Sequence, residues 1–210
     1  GDDYWVLKLD ARGEQMWQRT LGGRGQDELL CVIQTKDKGF LVAGSSNSNP
    51  VEDIGVRQEK KSKSKGNMDY WIIKLDGEGV EQWQRTLGGG YADLLRSIEA
   101  TKDGGYILGG YSNSGESGDK SQPNFGEGGD FWILKLDSTG TIEWQQTIGG
   151  SGDDQIQVIH QTYDGGYIAA GNSNSAISGN KTRANGEGTD LWLVKLHDQG
   201  AIEWQETYDF

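Results

Sequence analysis

Residues Asp69–Gly89 read DYWIIKLDGEGVEQWQRTLGG, and the 210-residue chain carries three further copies of this stretch. They are Asp3–Gly23 (DYWVLKLDARGEQMWQRTLGG), Asp130–Gly150 (DFWILKLDSTGTIEWQQTIGG) and Asp190–Asp209 (DLWLVKLHDQGAIEWQETYD). All eight tryptophans lie in these copies, as the pairs Trp5/Trp17, Trp71/Trp83, Trp132/Trp144 and Trp192/Trp204, twelve residues apart. The first members of successive pairs are separated by 66, 61 and 60 residues. That period is too long for one coil of a β-helix and suits a repeated four-stranded sheet.

Four strands fit each period, here called a to d. Strand a runs over Leu29–Thr35, Leu95–Thr101 and Ile156–Thr162. It ends in Thr-x-Asp-Gly-Gly in two copies, and Asp-Gly predicts a two-residue hairpin with positive φ values. The first copy has Asp37-Lys38-Gly39 there, which predicts a looser turn. Strand b is Phe40–Ala43, Tyr106–Gly109 and Tyr167–Ala170, ending in small residues that allow close backbone approach. Strand c is the Asp-aromatic-Trp run. Trp71, Ile73 and Leu75 lie on one face and Tyr70, Ile72 and Lys74 on the other, so the strand is sandwiched between neighbouring sheets. An Asp-x-x-Gly turn follows at Asp10–Gly13, Asp76–Gly79 and Asp137–Gly140; the fourth copy has His197 in place of Asp. Strand d carries the second Trp, as in Glu81–Leu87.

No segment has helical periodicity with caps, so the chain reads as all-β. A sheet with two apolar faces cannot bury both alone. Radial stacking solves the problem and predicts a β-propeller of four-stranded antiparallel blades. Residues 1–210 then form one repeat region: strands c and d within 1–23, and blades at 28–89, 94–150 and 155–208. About three and a half blades do not close a ring, the smallest propellers having about four. Two identical chains lack the same inner strands, so dimerisation does not supply them. The expectation is that this is a fragment completed by remaining blades, most simply by chain beyond Phe210.

The aspartate-aromatic strand, the later Trp and the small residues closing strand b resemble kelch-type blades. SGDKSQPNFGEGGDFWILKLDSTGTIEWQQTIGGSGDD is similar to the tandem propeller repeats of large secreted or cell-surface Bacteroidota proteins, many exported by the type IX route. The likeness covers essentially the whole chain. It implies an extracellular or cell-surface location and adhesion, and carries no catalytic motif.

Composition narrows the function classes. A formal net charge of −12 opposes general nucleic-acid binding. No apolar run approaches the ~20 residues that cross a bilayer, so membrane insertion is not expected. Cys31 is the only cysteine, and its counterparts Ser97 and Val158 mark it as a small core residue. Lys8, Lys74, Lys135 and Lys195 recur on strand c and predict ion pairs within each blade.

Differences between blades are the better guide to function, and they concentrate in the b-to-c loops, Ser45–Met68, Ser112–Gly129 and Asn172–Thr189. The first is basic, with Arg57, Lys60, Lys61, Lys63 and Lys65, and suits an acidic glycan or protein partner. Asn124, Phe125, Arg183 and Asn185 in the other two are of the types that stack on and hydrogen-bond to sugars. The Ser-Gly-x-Lys-Ser/Thr theme at Ser117–Ser121 and Ser178–Thr182 lacks the spacing and helix of a phosphate loop and is rejected as one. Asp27, Asp93 and Asp154 follow Gly-Gly and read as turn braces; as hard oxygen donors they are also the calcium candidates, without EF-hand spacing, and no other cofactor is expected. The chain does not read as an enzyme: no Ser/His/Asp set or zinc spacing occurs. Glu99 and His160, at matching strand a positions facing the channel, are the one candidate acid–base pair, on which a polysaccharide hydrolase or lyase would rest. The preferred reading is a binding module, with a structural spacer as alternative.

Overall fold

The computed structural model describes residues 1–50, 60–186 and 188–209. Arg57 of the basic loop lies outside them. The described residues form fourteen strands and no helix: β1 (Tyr4–Leu9), β2 (Gln15–Leu21), β3 (Asp27–Gln34), β4 (Phe40–Ser46), β5 (Asp69–Leu75), β6 (Glu81–Leu87), β7 (Asp93–Ala100), β8 (Tyr106–Ser112), β9 (Asp130–Leu136), β10 (Ile142–Ile148), β11 (Asp154–Gln161), β12 (Tyr167–Ser173), β13 (Asp190–Leu196) and β14 (Ile202–Tyr208). They build one two-stranded sheet, β1–β2, and three four-stranded antiparallel meanders, β3–β6, β7–β10 and β11–β14.

The strands equivalent to b are longer than expected. In β4, Gly44, Ser45 and Ser46 stay in register with Trp71, Tyr70 and Asp69. Small residues here do not end the strand; they clear space. A Cβ on Gly44 would meet the Tyr4 hydroxyl at 2.7 Å, and one on Gly110 would meet that of Tyr70 at 2.2 Å. Those hydroxyls cross to the next sheet, Tyr4 Oη donating to the Trp71 carbonyl (3.3 Å) and Tyr70 Oη to that of Trp132 (3.1 Å).

The a-to-b turns also differ from the two-residue form. Gly104 N–H donates to the Thr101 carbonyl and Thr101 N–H to that of Gly105 (3.0 and 2.9 Å), and the left-handed residue is Gly104 alone, at φ +92°. This is a type I turn followed by one left-handed residue. The first copy is not looser: Lys38 takes the position at φ +66° with the same pair of bonds, Lys38 to Thr35 and Thr35 to Gly39.

The c strands β5 and β9 are buried on both faces. Trp71, Ile73 and Leu75 join Tyr4, Val6 and Leu21 of the preceding sheet, while Tyr70 and Ile72 join Trp132, Leu134 and Leu136 of the following one. The next boundary repeats this with Phe131 and Ile133 against Trp192, Val194 and Leu196. The aromatic contacts recur as Tyr4–Trp71, Tyr70–Trp132 and Phe131–Trp192, with centroids 4.8, 4.9 and 5.2 Å apart. A second contact bolts the sheets at the turn end. Trp17, Trp83 and Trp144 lie on Gly79, Gly140 and Gly200, where a Cβ would come within 2.8–2.9 Å of the indole. The sheets thus follow one another face to face, and the outer faces of the first and last remain exposed.

Candidate binding surface

Register places three polar rows at the end of the sheets that carries the long loops. They are Asp27–Ser46–Asp69, Asp93–Ser112–Asp130 and Asp154–Ser173–Asp190, one residue from each of the first three strands of a sheet. All nine side chains are buried. One oxygen of each strand a aspartate ties the glycine entry before it to the loop after strand b. Asp27 Oδ2 accepts from Gly23 N–H (2.9 Å) and Ser48 Oγ (2.7 Å), Asp93 Oδ2 from Gly89 and Ser114, and Asp154 Oδ2 from Gly150 and Ser175. The strand c aspartates accept N–H groups from the loop before them: Lys65 to Asp69, Phe125 to Asp130 and Gly186 to Asp190. Among the described residues no group of three or more His, Cys, Asp or Glu is placed to hold a metal ion.

Above each row sits a buried lysine: Lys60, Lys120 or Lys181. Lys60 is 1% exposed, so it is an internal anchor and not a ligand contact. Its ammonium donates to Ser46 Oγ (2.6 Å) and Ser64 Oγ (3.1 Å) and lies 5.3 Å from the Trp71 ring. Lys120 donates to the Gln122 carbonyl, Asn124 Oδ1 and Thr147 Oγ1. Three acceptors satisfy the three protons of an ammonium. Burial pushes Lys60 and Lys120 down to about 8, against the pull of Asp27 and Asp69 on the one and Asp130 and Asp93 on the other. Burial likewise lifts the carboxyls of Asp69, Asp93 and Asp154, and Asp130 reaches about 7 with Asp154 across the sheet boundary adding to the rise. Oδ1 of Asp27, Asp69, Asp93, Asp130 and Asp154 has no hydrogen-bond partner.

Asn124 also departs from its expected role. Its amide donates to the Ser112 and Gly128 carbonyls and its oxygen holds Lys120, so it shapes the loop from within. Asn185 divides its amide. Nδ2 donates to the Ser173 carbonyl (2.8 Å), while Oδ1 is buried without a partner; a hollow of about 560 Å³ is lined by Asn174, Ala176, Ile177, Ala184 and Asn185.

The outermost positions differ from sheet to sheet. Lys65, Phe125 and Gly186 are equivalent, each giving its N–H to the strand c aspartate, yet one is basic, one aromatic and one has no side chain. Phe125 is 44% exposed and reaches the next sheet's loop at Gly179. Lys65 pairs with Asp119, Lys61 with Glu81 (2.7 Å) and Arg183 with Glu206 (3.3 Å). Lys63 is exposed, and Tyr91 and Ile177, which the sequence reading did not single out, are exposed on the same loop end.

Elsewhere, the strand c lysines make the expected ion pairs: Lys74 with Asp37, Lys135 with Asp103 and Glu143, and Lys195 with Asp164 and Glu203. Lys8 instead donates to the Gly77 carbonyl across the sheet boundary. These lysines and the threonine hydroxyl in the same turn (Thr35, Thr101 and, as the foremost cause for Asp164, Thr162) together hold Asp37, Asp103 and Asp164 at about 2, for Asp103 against its partial burial. Glu99 and His160 do meet, Oε2 to Nδ1 at 2.9 Å on adjacent strands β7 and β11, and Glu99 also accepts from Gln161 N–H.

No family model matches the chain. Over 112 residues, 53% of its length, it is 27% identical to the regulatory protein FlaEY of Caulobacter vibrioides, and the match spans 12% of that protein. A solved structure, a protein of unknown function from Bacteroides caccae, aligns with 98% of this chain and 73% of its own at a TM-score of 0.46 and 11% identity.

Proposed function

We propose that the chain is an arc of β-propeller blades serving as an extracellular or cell-surface recognition module, which reads a glycan or a protein with the loop end of its sheets. One observation carries this reading. At the loop end the positions that repeat between sheets are buried and internally bonded, and the positions that differ, Lys65 and Phe125 foremost, face outward. A scaffold that varies only where it meets solvent is built for contact. The hollow lined by Asn174, Ile177 and Asn185 adds room for part of a ligand. Exposed Tyr91, Phe125 and Ile177 supply apolar contact, and Lys63 a free cation.

The test is a glycan array probed with the folded chain, with calcium and with chelator. Saturable binding that Lys63→Glu and Phe125→Ala both weaken is the expected result. A folded chain that binds no glycan and no protein partner is instead a spacer. A second reading rests on the Glu99–His160 contact, which has acid–base geometry on an exposed strand edge. Under it, turnover of a polysaccharide would vanish in Glu99→Gln without loss of fold.

A further inference from the structure

At the turn end of the sheets, opposite the long loops, a hollow of about 330 Å³ opens between β3–β6 and β7–β10. Both of these sheets have all four strands, so the hollow lies inside the series. Trp83 of β6 and Tyr106 of β8 form its wall, with ring centroids 6.2 Å apart and planes at 61°. Lys74, Asp37 and Gln82 line it from the first sheet, and Ser138 from the c-to-d turn of the second.

Two donors in the wall have nothing to bind. At the boundaries on either side the d-strand Trp gives its Nε1–H to the facing turn, Trp17 to the Gly77 carbonyl and Trp144 to that of Asp198, both at 3.1 Å. Ser138 is the equivalent residue for Trp83, yet among the described residues no hydrogen bond uses the Trp83 Nε1–H. None uses the Tyr106 hydroxyl either, although Tyr106 is only 3% exposed. Neither atom is sealed from solvent, unlike the Oδ1 atoms of the buried aspartates. Lys74 sets up a third donor. Its ammonium holds Asp37 Oδ2 (2.7 Å), the Leu75 carbonyl and Gln82 Oε1 (both 3.1 Å), which uses all three protons and turns the amide oxygen of Gln82 toward it. Gln82 Nε2 is left without a partner among the described residues. In the next two sheets this position is Glu143 or Glu203, each a second carboxylate on its lysine. Here Lys74 meets one carboxylate, and the pair is neutral.

We infer that this hollow is a subsite for one neutral sugar ring. Hydroxyl groups both accept and donate, so a single ring can take hydrogen bonds from Trp83, Tyr106 and Gln82 and return one to Asp37, whose side chain is half exposed. An anion would meet that carboxylate. The volume is at the low end of the roughly 300–1,000 Å³ typical of ligand pockets, which fits one ring and not a chain of them. No residue of the hollow belongs to the loop end, so the subsite stands or falls apart from the recognition reading of that surface.

The indole N–H resonances of isotope-labelled protein, assigned by triple-resonance NMR, read the site directly. Methyl glycosides of glucose, galactose and mannose are titrated into the millimolar range, with acetate as the anion control. At least one sugar should shift the Trp83 signal to saturation, and acetate should leave it in place. Tyr106→Phe and Gln82→Glu should each weaken that sugar roughly fivefold, as the loss of one hydrogen bond does. Both variants should keep the other indole signals in place, because the chain itself carries Phe40 and Glu143 at these positions of other sheets. Phe125→Ala should bind the sugar as the wild type does. No shift at Trp83 with any of the three sugars, a shift with acetate alone, or wild-type affinity in either Tyr106→Phe or Gln82→Glu would overturn the inference.

Discussion

Single residues in this chain are either structural fixtures or free to vary, and glycine shows the division best. Gly140 sits at φ +78° with the Trp83 ring where a Cβ would go, whereas Gly104 at φ +92° has open space. Gly140→Ala therefore meets both backbone strain and a clash, and should cost roughly 2–3 kcal/mol in urea unfolding. Gly104→Ala should cost only the strain, about 1 kcal/mol. Equal losses would show that the Trp–Gly contact does not lock the sheets. The Tyr hydroxyls matter less. Tyr70→Phe removes one buried hydrogen bond worth about 1 kcal/mol, and Phe131 already fills the same place one sheet on. A loss several times larger would mean that the hydroxyl bond, and not ring packing, carries the boundary.

At the scale of elements, the polar rows tie strands a, b and c to the loop that follows. Burial raises the carboxyls of Asp69, Asp93, Asp130 and Asp154, so their protonated forms favour the folded state. Asp130 titrates at about 7 folded and roughly 4 unfolded. Its contribution is complete below about 4 and is lost as pH rises through about 7. Asp37, Asp103 and Asp164, held at about 2, act oppositely, and their contribution is lost as pH falls from roughly 4 through 2. The melting temperature should therefore peak between these windows and decline toward pH 7, above which the depressed Lys60 and Lys120 act the other way, and Asp130→Asn should flatten the decline. A melting temperature that rises from pH 5 to pH 7 would contradict the assignment. The strands themselves were largely legible: β5 and β6 run as the alternation and the Asp-x-x-Gly turn predict. Strand b was ended at its small residues, which read as sites of close backbone approach; here the strand runs on through them, and they make room for a neighbour's tyrosine. The Lys38 turn was misjudged because lysine rarely takes positive φ, and only the surrounding hydrogen bonds show that it does.

For the whole molecule, the same scaffold recurs and its outward positions differ, which under the proposed recognition role divides holding from reading. That division was half visible in the sequence. Lys60 lay hidden among Lys61, Lys63 and Lys65, and composition made it one of a basic cluster. Its distance from the strand c aspartate, nine residues as for Lys181 and one fewer than for Lys120, was the signal that marked it as an anchor. Asn124 had no such signal, since its partners are carbonyls that only the folded loop brings near.

Comparing Lys120→Ala with Phe125→Ala, five residues away on one loop, tests this division most directly. Thermal unfolding should show Lys120→Ala destabilised by roughly 3 kcal/mol or more, because it strips the cation from between buried Asp93 and Asp130. For a chain of this length that is a drop on the order of 10 °C. Phe125→Ala should melt within a few degrees of the wild type by the same scaling, yet lose array binding. A stable Lys120→Ala, or a Phe125→Ala that unfolds instead of losing its ligand, would contradict the separation of anchor from contact.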